Sequence, residues 1–257
     1  TIADLSRAFL NTNGAVKHTA VAVPEYAGHG VQRPSTLRDV AASLRCASRR
    51  GLVERFDSTI GAGSVTMPFG GRTQRTPAQS MAALLPVEPM QETEQASVMS
   101  WACDPEALSD SPYWGAYDAV TASLSKLAAA GADYKKAYLT LQEYFEKLRT
   151  DPQRWGKPFQ ALLGALDAQL DYAAAAIGGK DSMSGSFLDL DVPPTVISFA
   201  IAPILAGEVL TPEFKEPGHP VYLFAGDGTA QGQTAAWEAF HTLAQSGKVK
   251  AAWAVEN

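Results

Sequence analysis

The sequence is poor in the residues that staple a chain or bind metal. Only Cys46 and Cys103 occur, too few and too far apart for a disulfide framework or a zinc site. A reducing cytosol is the expected setting, with both thiols buried as small hydrophobes. His18, His29, His219 and His241 share no metal-ligand spacing and are expected at surface or capping positions. No uncharged apolar stretch approaches the roughly 18 residues that a membrane helix needs. The first ten residues carry Asp4 and Arg7 and lack the apolar core of a signal peptide. Basic residues are outnumbered, 21 against 27, for a net charge of −6. That balance argues against a nucleic-acid binder, whose affinity comes mostly from Lys and Arg neutralising phosphates. What is present is an ordinary globular composition, 46% hydrophobic and 19% charged, enough to bury a real core.

Residues 1–34 mix turn formers (Asn11, Asn13, Gly14, Gly28, Gly30, Pro34) with one alternating run over 19–23, and read as a linker. Thr36 followed by Asp39 resembles a capping box, Leu37, Val40, Ala41 and Leu44 recur at helical spacing, and Gly51 supplies a stop. A lead-in helix is therefore expected over 36–50. Residues 63–69 and 95–101 are short β-type runs. Pro112 suits a helical first turn, and Trp114, Tyr117, Val120, Leu124 and Leu127 form one apolar stripe ending at Gly131. A strand is expected over 136–141, and a helix opening at Pro158 with Phe159, Leu162, Leu163, Leu166 and Leu170 at helical intervals. A further short run, 173–177, leads into a glycine-rich loop, and 195–201 reads as a buried strand. After a proline-rich connector over 211–220, a new β–α–β pattern is expected: 221–225, 234–245 and 249–254. Starting at Thr1 and stopping just after a strand-like run, the chain reads as cut from something longer.

The chemistry concentrates in Gly178, Gly179, Lys180, Asp181, Ser182, Met183, Ser184 and Gly185. Paired glycines let backbone N–H groups converge on an anion, Lys180 adds a cation, Asp181 can hold magnesium that bridges phosphates, and Ser182 and Ser184 add hydroxyl donors. The other reading of the same residues is a Gly-Gly turn with solvated Lys and Asp. A Walker-type loop is set aside, because Asp181 stands where Ser or Thr should follow the lysine and the earlier glycine is missing. The loop of N-type ATP pyrophosphatases, Ser-Gly-Gly-x-Asp-Ser, is matched by 178–182 except that Ile177 replaces the leading serine. That loop runs directly into a helix, whereas Gly185, Asp189, Asp191, Pro193 and Pro194 follow here.

With its surroundings, the segment is similar to the second synthetase half of the large-type phosphoribosylformylglycinamidine synthases. The run Gly178-Gly179-Lys180-Asp181-Ser182-Met183-Ser184-Gly185-Ser186-Phe187, then Leu190-Asp191-Val192-Pro193-Pro194-Thr195, carries the resemblance. So do Arg55-Phe56-Asp57-Ser58-Thr59-Ile60-Gly61, Met67-Pro68-Phe69-Gly70-Gly71, Gln142-Glu143-Tyr144-Phe145 and Arg154-Trp155-Gly156-Lys157-Pro158-Phe159, in the same order. It covers about residues 4–255.

The resemblance implies an α/β (α+β) chain. A linker and lead-in helix over 1–51 would precede an AIR-synthase-like N-terminal domain over 52–208, with a mixed sheet flanked by helices. Residues 219–257 would begin an AIR-synthase-like C-terminal α+β domain, with Gly226 to Gly232 as its strand–turn–helix entry. The family is a carbon–nitrogen ligase of purine biosynthesis, converting formylglycinamide ribonucleotide to its amidine with ATP and glutamine. ATP activates the amide oxygen, and ammonia from a glutaminase domain attacks the activated carbon. The implied partners are the first synthetase half and the glutaminase domain, and this chain alone would be inactive. An exposed sheet face would favour self-association.

In that family the glycine segment belongs to an auxiliary ATP or ADP site, so Gly178, Gly179, Lys180, Asp181, Ser182 and Ser184 are the implied nucleotide residues and Asp181 the implied Mg2+ ligand. The family's other magnesium ligands fall at Ser80, Ala122 and Lys126, poor ligands all three. The rival expectation is a structural domain with a vestigial nucleotide site. Glu88, Glu92 and Glu94 are read as a solvated loop, and Trp101, Trp114 and Tyr117 as core.

Overall fold

The computed structural model describes residues 1–11, 18–23, 36–55 and 61–256. Its centre is a five-stranded mixed sheet built from β1 (Ser80–Leu84), β2 (Gln95–Ala102), β3 (Tyr138–Tyr144), β4 (Ala176–Ser182) and β5 (Thr195–Leu205), in the order β1-β2-β5-β3-β4. The first three neighbour pairs are antiparallel, while β3 and β4 run parallel. The parallel pair requires a crossover, and α3 (Pro152–Tyr172) supplies it. Two further helices precede β3: α1 (Pro105–Asp110) and α2 (Pro112–Ala129). Helix α4 (Ala230–Gln245) comes last. The fold class is the mixed α/β arrangement expected, a mixed sheet flanked by helices.

Strict alternation divides the sheet into two unlike faces. One set of side chains lies under α2 and is small and buried: Val98, Ser100, Val196, Ser198 and Ala200. Two hydroxyls in this layer are satisfied internally, since Ser100 Oγ donates to the Ser123 carbonyl at 2.6 Å and Ser123 Oγ lies 2.9 Å from Ser198 Oγ. The alternate set carries Met81, Trp101, Tyr138, Tyr144 and Leu205, all exposed.

Helix α3 packs against α2 at a close crossing. A Cβ on Gly164 would overlap the Tyr113 backbone, so only glycine permits the approach. Beside it Tyr113 Oη donates to Asp167 at 2.5 Å and Tyr117 Oη to Asp171 at 2.8 Å. Trp237 of α4 then inserts between Tyr134 and Tyr172, each ring centroid 5.0 Å away, and its indole N–H donates to Ser125 Oγ. No helix among the described residues is long and apolar enough to cross a membrane.

Several expectations fail for local reasons. The lead-in helix is broken: Thr36 caps it through the Asp39 N–H at 3.2 Å, but it runs only over Leu37–Ala42. Ser43 ends it in extended backbone, its hydroxyl donating to the Val40 carbonyl. No residue of this helix is buried, so no packing sustains a longer one. Gly51, expected as a stop, lies inside a separate turn of helix, Arg50–Val53.

Helix α3 opens at Pro152, with Asp151 accepting from the Gln153 and Arg154 N–H groups, and carries Pro158 inside. Asp-Pro is the stronger start signal, because it supplies both a cap and a fixed φ. Residues 221–225 and 249–254, expected as strands, form none, because no neighbouring strand pairs with them. Strand β1 and helix α1 were not expected at all. Trp101 and Trp114 are exposed, and so is Cys46; Cys103 is half-buried, its thiol pushed up to about 11 by burial and by Asp104. His29 and residues 56–60 of the resemblance lie outside the described residues.

Candidate functional site

The glycine segment is a strand, not a loop. Residues 176–182 pair with β3 along their length, and the register jumps from Leu139↔Ala176 to Thr140↔Gly178, which leaves Ile177 as the extra residue of a bulge. Gly179 is required by packing, because a Cβ there would overlap the Leu141 carbonyl oxygen, whereas one on Gly178 would meet open space. Gly185 is held as tightly, with the Val192 side chain and the Phe145 carbonyl against it. Of the two glycines read as phosphate-binding, Gly179 thus answers first to the backbone beside it, and Gly178 does not.

Alternation splits the expected nucleotide residues between the two faces of this edge. Asp181 pairs with Glu143 and shares its face, while Lys180 pairs with Gln142 and places its ammonium 5.2 Å from the Tyr144 ring centroid on the other face. Ser182 and Ser184 lie together at the strand's end, hydroxyls 2.9 Å apart. The carboxylates of Glu143 and Asp181 line an open groove of about 500 Å³ between the sheet edge and α3, whose walls are apolar: Val21, Trp155, Phe159, Leu162 and Met183. Burial, then the charge of Asp181, holds the Glu143 carboxyl above the usual carboxylate range. Glu143 is the residue that sequence reading missed. Its signal was present in Gln142-Glu143-Tyr144-Phe145, but only the parallel register brings it beside Asp181.

The end of the groove is braced by ion pairs. Glu146, only 1% exposed, accepts from Lys157 Nζ at 2.6 Å. Arg154 Nη2 donates to Asp191 at 2.6 Å, and Asp191 also accepts from Ser186 Oγ at 2.5 Å. These bonds pin a hairpin, Ser186–Phe187 with Leu190–Asp191, against the first turns of α3, and they hold the Asp191 carboxyl below its ordinary range, Ser186 contributing most. The chain therefore passes from β4 into a hairpin and no helix, which removes the geometry of the pyrophosphatase loop.

The positions expected to complete a metal cluster do not converge on Asp181. Ser80 lies on β1, at the opposite edge of the sheet, four strand spacings or about 19 Å across. Lys126 donates to the Trp101 carbonyl at 2.8 Å and pairs with Glu256, three spacings or about 14 Å from β4. Ala122 lies one turn earlier on α2. Among the described residues no group of three or more His, Cys, Asp or Glu side chains is placed to hold a metal. Near α4, Asp227 accepts from the N–H and hydroxyl of Thr229, and Thr229 Oγ1 accepts from the Gly232 N–H, so two of the backbone donors between Gly226 and Gly232 are engaged within the turn.

No protein-family model and no curated protein matches the chain. Solved structures do. The chain is similar to PurLQS from Thermotoga maritima, with a TM-score of 0.60 and 16% identity, covering 78% of this chain and 30% of that one. It is similar to T. maritima PurL complexed with AMPPCP, at 0.59 and 14%, covering 90% and 35%. It is also similar to phosphoribosylformylglycinamidine synthase II of T. maritima, at 0.55 and 16%, covering 90% and 34%. The chain spans about a third of the length of these proteins, and at such identities the likeness establishes the fold.

Proposed function

We propose that this chain is a nucleotide-binding synthetase half of a ligase that converts formylglycinamide ribonucleotide to its amidine with ATP and glutamine. It contributes an auxiliary nucleotide site and has no activity by itself. The observation that carries the reading is the pairing of Asp181 with Glu143 on a groove floor at the C-terminal ends of two parallel strands. Open α/β sheets characteristically bind ligands there. The fold's likeness to T. maritima PurL in complexes with ATP, ADP and AMPPCP supports a nucleotide as that ligand.

Each implied residue has a distinct part. Magnesium commonly takes one or two carboxylates, completing its shell with water and substrate phosphates, so Asp181 and Glu143 suffice to hold a nucleotide-bound ion without a full protein cage. When bound, that ion neutralises phosphate charge. Ser182 and Ser184 offer hydroxyls at the strand's end, the apolar groove wall suits a base, and the exposed edge at Gly178 and Gly179 lets a ligand approach the backbone. Lys180 also lines the groove, while its ammonium lies over Tyr144 on the open sheet surface. There a second synthetase half would pack over Met81, Trp101 and Tyr138, with a glutaminase domain supplying ammonia.

A specific observation favours the rival: Gly179 is explained by packing alone, as expected of a structural domain whose site is vestigial. Calorimetric titration with ADP, with and without Mg2+, separates the two. Millimolar or tighter Mg2+-dependent binding, lost in Asp181→Asn, is expected. Absence of heat at millimolar ADP overturns the nucleotide site and leaves the structural reading.

A further inference from the structure

The groove beside β4 is walled in part by a distant stretch of the chain itself. Val21 belongs to the lead-in segment, far from α3 and β4 in sequence, yet it lines the same groove as Glu143, Asp181, Trp155 and Phe159. One residue on, the Ala22 N–H donates to the carbonyl of Pro152 at 3.0 Å, fastening the segment to the first turn of α3. Residues 18–23, His-Thr-Ala-Val-Ala-Val, carry β-branched residues at alternate positions 19, 21 and 23, a pattern that suits an extended peptide lying along an apolar channel. We infer that residues 18–23 form a strap seated in this groove, and that strap and groove ligand exclude one another, so that binding over Glu143 and Asp181 requires the strap to lift.

Three features make the strap detachable. Its attachment among the described residues is one backbone hydrogen bond and one side chain in the groove. Val21 and Val23 each keep about half their surface in water, 47% and 56%, so little apolar area is lost on release. The groove floor is also a poor permanent home for a valine. It carries two carboxylates, and Glu143 is held away from water with Asp181 beside it, so a ligand that neutralises them competes well against an aliphatic side chain. A strap in that position narrows the approach to Glu143, which is half-buried, while Asp181 beside it stays exposed.

The nucleotide part of this inference rests on the proposed nucleotide site; the seating of the strap does not. Two full-length variants test it: Val21→Ser, and replacement of residues 18–23 by a Gly-Ser stretch of equal length. Carboxyl footprinting with a water-soluble carbodiimide and glycine ethyl ester, read by mass spectrometry, reports the floor directly. Labelling of Glu143 is expected to rise several-fold in the Gly-Ser variant and less in Val21→Ser, while Asp181 and Asp189, both exposed already, are unchanged. Equal labelling of Glu143 in all three proteins overturns the strap. In the same proteins, Mg2+–ADP is expected to bind several-fold more tightly without the strap and to speed hydrogen exchange at the Ala22 amide of the unaltered chain. Unchanged ADP affinity together with increased labelling overturns mutual exclusion. Absence of ADP binding in every protein removes the nucleotide reading, and the labelling result still decides the strap.

Discussion

The two faces of the sheet are written in the same strands, residue by residue, and have opposite fates. On β2, Val98 is fully buried under α2, while Trp101, on the other face, leaves 40% of its surface in water. On β3, Leu139 is fully buried and its neighbour Tyr138 is 53% exposed. The helix face is lined with small residues that let α2 sit close. The open face carries larger, flatter and partly polar side chains, Met81, Tyr138 and Tyr144 among them. Burial here is decided by which side a helix covers, and hydrophobicity alone does not rank the two faces.

Paired substitutions sharpen that contrast, and the largest effect is expected in the core. Val98→Asp strands a carboxylate under α2 and is expected to cost about 4 kcal/mol or more, enough to unfold a marginal domain. Trp101→Asp, on the same strand, is expected to cost under about 1 kcal/mol and to reduce self-association. Urea unfolding measures the first difference and sedimentation velocity the second. Equal destabilisation by both would mean that the open face is itself packed in solution.

A middle-sized effect separates the adjacent glycines of β4. Gly179→Ala forces a methyl onto the Leu141 carbonyl and is expected to cost about 1–3 kcal/mol. Gly178→Ala meets open space and is expected to change stability by less than about 0.5 kcal/mol. Thermal unfolding of the two variants side by side suffices. If Gly178→Ala leaves stability intact but abolishes ADP binding, the exposed glycine serves a ligand after all.

The smallest effect is electrostatic. Glu143 has a raised carboxyl pKa, so the folded state holds its proton more tightly than the unfolded chain does. Its contribution to stability therefore falls as pH rises from the ordinary carboxylate value, about 4.3, through the raised one, and stays low above it. Glu143→Gln is accordingly expected to melt slightly above the parent at pH 7, the gap closing near pH 4. A gap that widens in acid would mean that Glu143 is stabilised as a carboxylate.

Much of the fold was legible because its signals are local. The stripe from Trp114 to Leu127 and the run over 195–201 each state their element without help, and α2 and β5 appear where periodicity put them. What failed depended on partners. A strand-like run such as 221–225 is a strand only if another lies alongside, and the lead-in helix had a good cap but nothing to pack upon. The candidate site was half legible. Asp181 stood out by its neighbours in sequence, but Glu143 became visible only through a parallel register spanning some forty residues. The glycines announced close backbone approach correctly and left open what approaches, which at Gly179 is a carbonyl of the same sheet.

At the far edge of the sheet, Gln79 grips the Ala254 backbone twice, Nε2 donating to its carbonyl at 2.8 Å and Oε1 accepting from its N–H at 2.7 Å, across 175 residues of sequence. Nearby, Glu256 meets Lys126. On the ribosome these closures come late. At about 5–20 residues per second, Ala254 emerges roughly 9–35 s after Gln79 itself. For that interval β1 has at its flank only the segment made before it, where the Val65 N–H donates to the Ala82 carbonyl, and Gln79 is without its partner, so the rate of elongation bears directly on when this end of the sheet closes.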